Sequence, residues 1–251
     1  MKLEQLVEMY NGVYAGLATD DFSNNGLQVE ASSEIRKVAF AVDACLDTFE
    51  KAVKEGADLL FVHHGLSWGG GLKMLDSYTA KRLSILFENH LSLYAQHLPM
   101  DMHPLLGNNA ILADILQLQE RKPFFSWHGQ SLGFYGFLPK PMNPAKIARI
   151  LNEALRTRSA IPVDGHEPIQ SIGIVSGAGA DAVFECASLH LNALLTGEFK
   201  HSFYHPAAEL GLSVIASGHY ATETTGPKAI MKYTQQHTDL ECVFIDSPTG
   251  L

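Results

Sequence analysis

The chain has 251 residues and carries 18 Lys plus Arg against 27 Asp plus Glu, a formal net charge of −9. An apolar fraction of 46% and a charged fraction of 18% exclude a disordered chain, and no apolar run reaches the ~18 residues of a bilayer span. The acidic balance argues against a general nucleic-acid binder and leaves only a local basic patch open.

The first residues carry acids early and lack a continuous apolar stretch, so they do not read as a secretory signal. Leu3, Leu6, Val7 and Tyr10 recur at helical spacing and predict a packed N-terminal helix. Lys37–Asp43 reads as a buried strand, Leu46–Glu55 as an amphipathic helix closed by Gly56, and Asp58–Val62 as a second buried strand. Strand, helix and strand in about thirty residues make a βαβ unit, the building block of parallel sheets. A helix near Tyr78–Asn89, a strand at Leu91–Ala95 and a helix from Asn108 to Leu118 follow.

Between Phe124 and Gly165 the sequence predicts a strand at Leu132–Leu138 and a helix at Pro144–Leu155. Ser171–Val175 and Ala193–Thr196 then read as strands around a helix at Ala180–Leu189. A strand at Leu212–Ser217 and a helix at Pro227–Gln236 close the pattern. The halves align at their strand ends: Asp58 to Gly65 matches Asn192 to Glu198, and Leu91 to His97 matches Leu212 to His219. The expectation is two related α/β lobes, residues 1–124 and 125–251, packed together because no low-complexity linker separates them. Chance likeness between βαβ units is the alternative.

Three scattered cysteines, Cys45, Cys186 and Cys242, form no Cys-x-x-Cys. They fit a reducing cytoplasm and read as small core residues. Twelve histidines are in excess, and their placement matters more than their number. Sites in parallel α/β sheets form outside the carboxyl ends of strands. Four such ends carry candidate ligands: His63-His64-Gly65, His97 to Asp101, Gly197-Glu198, and Gly218 to Glu223. His97 and Asp101 are four apart, as are His219 and Glu223, a spacing that lets an imidazole and a carboxylate share one helical face. Neighbouring His63 and His64 alternate on a strand and suit two metals side by side. Three to four histidines and two carboxylates exceed one tetrahedral catalytic site and suit two divalent ions bridged by a carboxylate and a water.

Each pair alone is weak, since an isolated His-His or His-x-x-x-Asp is usually incidental. Glu198 fits a ligand, an acceptor behind the ligands or a helix cap, with the acceptor favoured. His97 fits a ligand or an orienting partner. His103, His201 and His205 are expected to line the cleft, and His90, His128, His166, His190 and His237 to be surface or packing residues. Gly177-Ala178-Gly179 resembles a phosphate-cradling turn but lacks a third glycine and a lysine. Gly69-Gly70-Gly71 reads as a lid or a plain flexible loop.

Asn25-Gly26-Leu27-Gln28-Val29, Val62-His63-His64-Gly65, His97-Leu98-Pro99-Met100-Asp101, Asn108-Asn109, Thr196-Gly197-Glu198, Gly218 to Glu223 and Phe244-Ile245-Asp246 together resemble the GTP cyclohydrolase 1 type 2-like family. This family is also described as the dinuclear-metal NGG-interacting-factor-like family. The likeness spans nearly the whole chain, in family order, is nearest to the short bacterial members, and is weakest from Gln119 to His166. It implies two similar interlinked α/β lobes, each a mixed sheet flanked by helices, with a metal site between them. It also implies a homohexameric ring and two divalent ions per subunit (Fe, Zn or Mn), held by His63, His64, Asp101, His219 and Glu223. The expected function is a dinuclear metal-dependent hydrolase that uses a metal-bridging hydroxide, with Glu223 and His97 catalytic. A nucleotide or related heterocycle as substrate rests on the family label alone. The alternative is a non-enzymatic metal-containing ring that binds a partner protein or a nucleic acid.

Overall fold

The computed structural model describes residues 1–17, 20–165 and 168–250. In chain order its strands are β1 (Gly26–Val29), β2 (Lys37–Asp43), β3 (Leu59–His64), β4 (Ser92–Ala95), β5 (Gln119–Trp127), β6 (Gln130–Met142), β7 (Ala160–Val163), β8 (Ile169–Val175), β9 (Ala193–Thr196), β10 (Ser213–Ala216) and β11 (Glu241–Phe244). They form two mixed sheets, β1-β4-β3-β2-β11 and β5-β6-β8-β9-β10-β7.

In the first sheet β2, β3 and β4 are parallel, with β1 antiparallel on β4 and β11 parallel on β2. In the second, β8, β9 and β10 are parallel and β7 is antiparallel on β10. The β5–β6 hairpin joins β8 antiparallel. The blocks β1-β4-β3-β2 and β7-β10-β9-β8 therefore share one topology.

The likeness extends to single hydrogen bonds. The helix-to-strand turns before β3, β4, β9 and β10 each place one residue at positive φ: Gly56 (70°), His90 (54°), His190 (53°) and Gly211 (68°). In each, the next amide donates five residues back: Ala57 to Ala52, Leu91 to Leu86, Leu191 to Cys186 and Leu212 to Ala207. This is the Schellman closure of a helix end, and His90 and His190 serve it. The aligned residues Asp58 and Asn192 also act alike. Asp58 accepts from the amides of Arg36 and Lys37, and Asn192 from those of Gln170 and Ser171.

The parallel strands are apolar runs because both their faces are covered. On one face of the first sheet Ala39, Leu60, Val62 and Leu93 pack with Phe49, Ala52 and Leu86 of the helices Leu46–Lys54 and Ser77–Glu88. The alternate residues Phe40, Phe61 and Tyr94 form an aromatic cluster with Tyr10 of the N-terminal helix Leu3–Val13, ring centroids 5.0–5.6 Å apart. In the second sheet Ile172, Ile174, Leu195 and Ile215 pack with Leu112, Ile147 and Leu151 from Asn108–Ile115 and Pro144–Leu155. Leu194, Val214 and Phe124 face Val183 and Cys186 on the other side.

The compact units are Met1–Met100 with Gly226–Ser247, and Asp101–Thr225 with the C-terminal tail. They differ from the contiguous halves 1–124 and 125–251. The chain returns at its end because β2 offers a strand edge that β11 fills, and because Thr234 of the helix Thr225–His237 meets the Tyr10 hydroxyl at 3.0 Å. Asn108–Ile115 falls in the second unit because its Leu112 and Ala113 lie in that unit's core. β1, β5, β7 and β11 were not expected as strands. Of the cysteines only Cys186 is buried core; Cys45 and Cys242 are half-buried. His166 lies outside the described residues.

Candidate metal centre

The first unit gathers three histidines at the carboxyl ends of its parallel strands. Side chains alternate along β3, so His63 follows Phe61 onto the aromatic face and is fully buried, while His64 stays half-buried. His97 stands two residues past β4. Ligand-capable nitrogens of His63, His64 and His97 lie within 4.8 Å of one another, and the ring centroids are 4.6, 5.0 and 5.5 Å apart. The Trp68 ring stands edge-on to His97 at 5.0 Å, with Nε1 donating to the Gly65 carbonyl.

Each of the three rings is held through Nδ1. His63 Nδ1 lies 3.0 Å from the Gln96 carbonyl, His64 Nδ1 2.8 Å from Asp43 Oδ1, and His97 Nδ1 2.8 Å from Asp21 Oδ1. Carbonyl and carboxylate oxygens only accept, so Nδ1 carries the proton and the lone pair is on Nε2. The Asp21 carboxylate is 3% exposed. Burial alone would raise its pKa, but His97, Asn25 and the Ser23 amide outweigh that and hold it at about 2, below the ordinary 3.8.

The second unit builds its own set. Gly218, at φ +87°, turns the chain from β10 into the short helix His219–Glu223. The i, i+4 spacing brings His219 Nε2 to 3.1 Å from Glu223 Oε2. His219 Nδ1 meets Glu198 Oε1 at 2.5 Å, so Glu198 stands behind the imidazole as an acceptor. Burial pulls the His219 pKa down, but the carboxylates of Glu223 and Glu198 more than offset it and hold it at about 9. Two glycines make room for this arrangement. A Cβ on Gly177 would stand 2.2 Å from Glu223 Oε1, and one on Gly197 2.6 Å from the Gly177 carbonyl.

Asp101 is buried in the same unit, and its Oδ1 accepts from Asn108 Nδ2 at 2.8 Å and Ser176 Oγ at 3.0 Å. Fully buried Asn109 ties the same segment, accepting from the Ser176 amide at 2.7 Å and donating to the Leu132 carbonyl. Asp101 and Glu223 thus approach adjoining residues, Ser176 and Gly177.

The donor sets fit divalent cations. Four imidazoles are oriented through Nδ1 by oxygen acceptors, the arrangement that presents Nε2 to a metal. The 3.1 Å between His219 Nε2 and Glu223 Oε2 matches the roughly 3 Å expected of two ligand atoms each about 2.1 Å from one ion.

Other expectations shift. The Gly177–Gly179 turn is no phosphate cradle: Gly177 N–H donates to Thr222 Oγ1 and Gly179 N–H to Thr196 Oγ1, so neither amide is presented to an anion. His103 caps its own turn, with Nδ1 accepting from the amides of Leu105 and Leu106. His201 and His205 are exposed on the second unit. The orienting acids Asp21 and Asp43 were missed. Asp43 had a signal, since it ends a buried strand as the other candidates do; Asp21, 76 residues from His97, had none.

The Duf34/NIF3 (NGG1p interacting factor 3) family model matches residues 1–250. A relative from Pyrococcus abyssi, named GTP cyclohydrolase 1 type 2 homolog, is 43% identical over 258 residues and covers 100% of both chains. Among solved structures, protein ybgI superposes with a TM-score of 0.92 at 32% identity, covering 100% of both chains. TTHA1606 from Thermus thermophilus superposes at 0.89 and 36% identity, also covering 100% of both. Among the described residues no helix is long and apolar enough to cross a membrane.

Proposed function

The chain belongs to the Duf34/NIF3 family, and on that premise we propose that it is a dinuclear metal-dependent hydrolase. The observation that carries the reading is the shared Nδ1 anchoring of His63, His64, His97 and His219 by Gln96, Asp43, Asp21 and Glu198. We assign two divalent ions, Fe, Zn or Mn, to His63, His64, Asp101, His219 and Glu223. When bound, such a pair supplies Lewis acidity and water activation near neutral pH.

The protein's own residues do the rest. Asn108 and Ser176 hold Asp101 Oδ1 in place, and Gly177 leaves space for the Glu223 carboxylate. His97 accepts a proton on Nε2, and the Asp21 carboxylate at Nδ1 stabilises the imidazolium that results. Glu223 stays ionised beside His219, 3.1 Å from its Nε2, as a carboxylate that would flank the ions, so His97 alone carries the proton between water and leaving group. The substrate proposed is a nucleotide or related heterocycle, in line with the name of the Pyrococcus abyssi relative. The compartment proposed is the cytoplasm, in keeping with three scattered cysteines that form no Cys-x-x-Cys.

Elemental analysis of protein purified without chelator tests the metal assignment, with about two divalent equivalents per subunit expected. A screen of nucleotides and pteridines with metal-replete protein tests the chemistry. Glu223→Gln should reduce any turnover found by at least ~100-fold. Absence of metal uptake, or unchanged turnover in that variant, would refute the reading.

A further inference from the structure

The segment from Asp21 to Gln28 contains the motif Asn25-Gly26-Leu27-Gln28, to which the hydrolytic chemistry assigns no role. Its side chains spend their hydrogen bonds on the two loops that carry the first unit's histidines. Asp21 Oδ1 accepts from His97 Nδ1 (2.8 Å) and the Ser23 amide (3.0 Å), and Oδ2 accepts from the Leu98 amide (3.0 Å) and Asn25 Nδ2 (2.9 Å). Asn25 Oδ1 in turn accepts from the His97 amide at 2.8 Å. His97 is thus held at its ring and at its backbone by one pair of side chains.

Gln28 does the same for the other loop. Its Oε1 accepts from the amides of Leu66 (2.7 Å) and Ser67 (3.0 Å), and its Nε2 donates to the carbonyls of Asn24 (2.7 Å) and Ser67 (3.2 Å). All four bonding directions of the amide are used. They brace the turn that directly follows His63 and His64. Gly65 lets the amide approach, since a Cβ there would stand 2.4 Å from both Nε2 and Oε1 of Gln28.

We propose that residues 21–28 form the positioning element of the histidine cluster. Asp21 and Asn25 set the tautomer and placement of His97, and Gln28 sets the turn that carries His63 and His64. The proposal rests on the metal reading above, which already includes the Asp21 anchor of His97, and adds Asn25 and Gln28 to it.

Two variants test it. Asp21→Asn keeps the shape but turns one accepting oxygen into a donor, so one of its two pairs of donors loses its acceptor. His97 and His64 are equally exposed, 20% each, and His64 is anchored by Asp43, which makes it an internal control. The expected result is that carbethoxylation of His97 by diethylpyrocarbonate, read by mass spectrometry against His64, changes by about threefold or more. Gln28→Leu should retain far-UV circular dichroism and cooperative unfolding while its affinity for Co2+, measured by chelator competition, falls about 10–100-fold.

An unchanged His97-to-His64 ratio in Asp21→Asn, or unchanged Co2+ affinity in folded Gln28→Leu, overturns the positioning role. If Gln28→Leu fails to fold, the Asp21→Asn ratio decides alone. Failure of the unaltered chain to bind Co2+ overturns the metal reading instead, and the His97 ratio still decides the positioning role.

Discussion

Gly177 shows how much one residue without a side chain can decide. Its φ is +59°, in the left-handed region, and the space a Cβ would take is filled by Glu223 Oε1 at 2.2 Å. Gly177→Ala therefore adds backbone strain and displaces a carboxylate that is 4% exposed and has little room to move. The expected stability loss is about 1–3 kcal/mol, read by urea unfolding. Metal content by elemental analysis should fall in the same variant. Retention of full metal content would show that Glu223 does not need this space. The sequence presents Gly177-Ala178-Gly179 as a loop that could grip phosphate, and only the bonds of its amides to Thr222 and Thr196 reveal the other use.

At the scale of elements, strands covered on both faces were legible and sheet edges were not. β2, β3, β8 and β9 announce themselves as apolar runs. β5 carries Arg121, Lys122 and Pro123, with positive φ at Glu120 and Phe125 and a break in register between Gln119 and Lys122. These features discourage pairing with another chain and also hide a strand from pattern reading. β7 contains Pro162 for the same reason. The N-terminal helix is fastened by Tyr10, whose ring joins Phe61 and Tyr94 and whose hydroxyl meets Thr234. Tyr10→Phe keeps the ring and removes one bond, while Thr234 retains its bond to the Ile230 carbonyl. A cost of about 0.5–1.5 kcal/mol in urea unfolding is expected. Tyr10→Ala should cost about 3–5 kcal/mol, because it empties the aromatic cluster.

For the whole molecule, two mixed sheets repeat one strand topology. The resemblance read in the sequence implies a ring of six subunits. Static light scattering should then give a mass six times that of the subunit, and a monomeric mass at micromolar concentration would refute the ring. The chain's return to its first unit through Gly226–Ser247 predicts that the segment 1–124, expressed alone, lacks the strand that covers the β2 edge.

Local residue order by itself determined the buried strands, most of the helices, the kinship of the two halves and the histidines and acids at the strand ends. These follow from periodicity and from the rule that parallel sheets bind at their carboxyl edges. Folding decided which acid stands behind which imidazole, which glycine yields space to Glu223, and where the last strand and helix pack. Those choices join residues 21 to 224 positions apart, and side chains that meet only through the folded backbone leave no spacing to read along the chain.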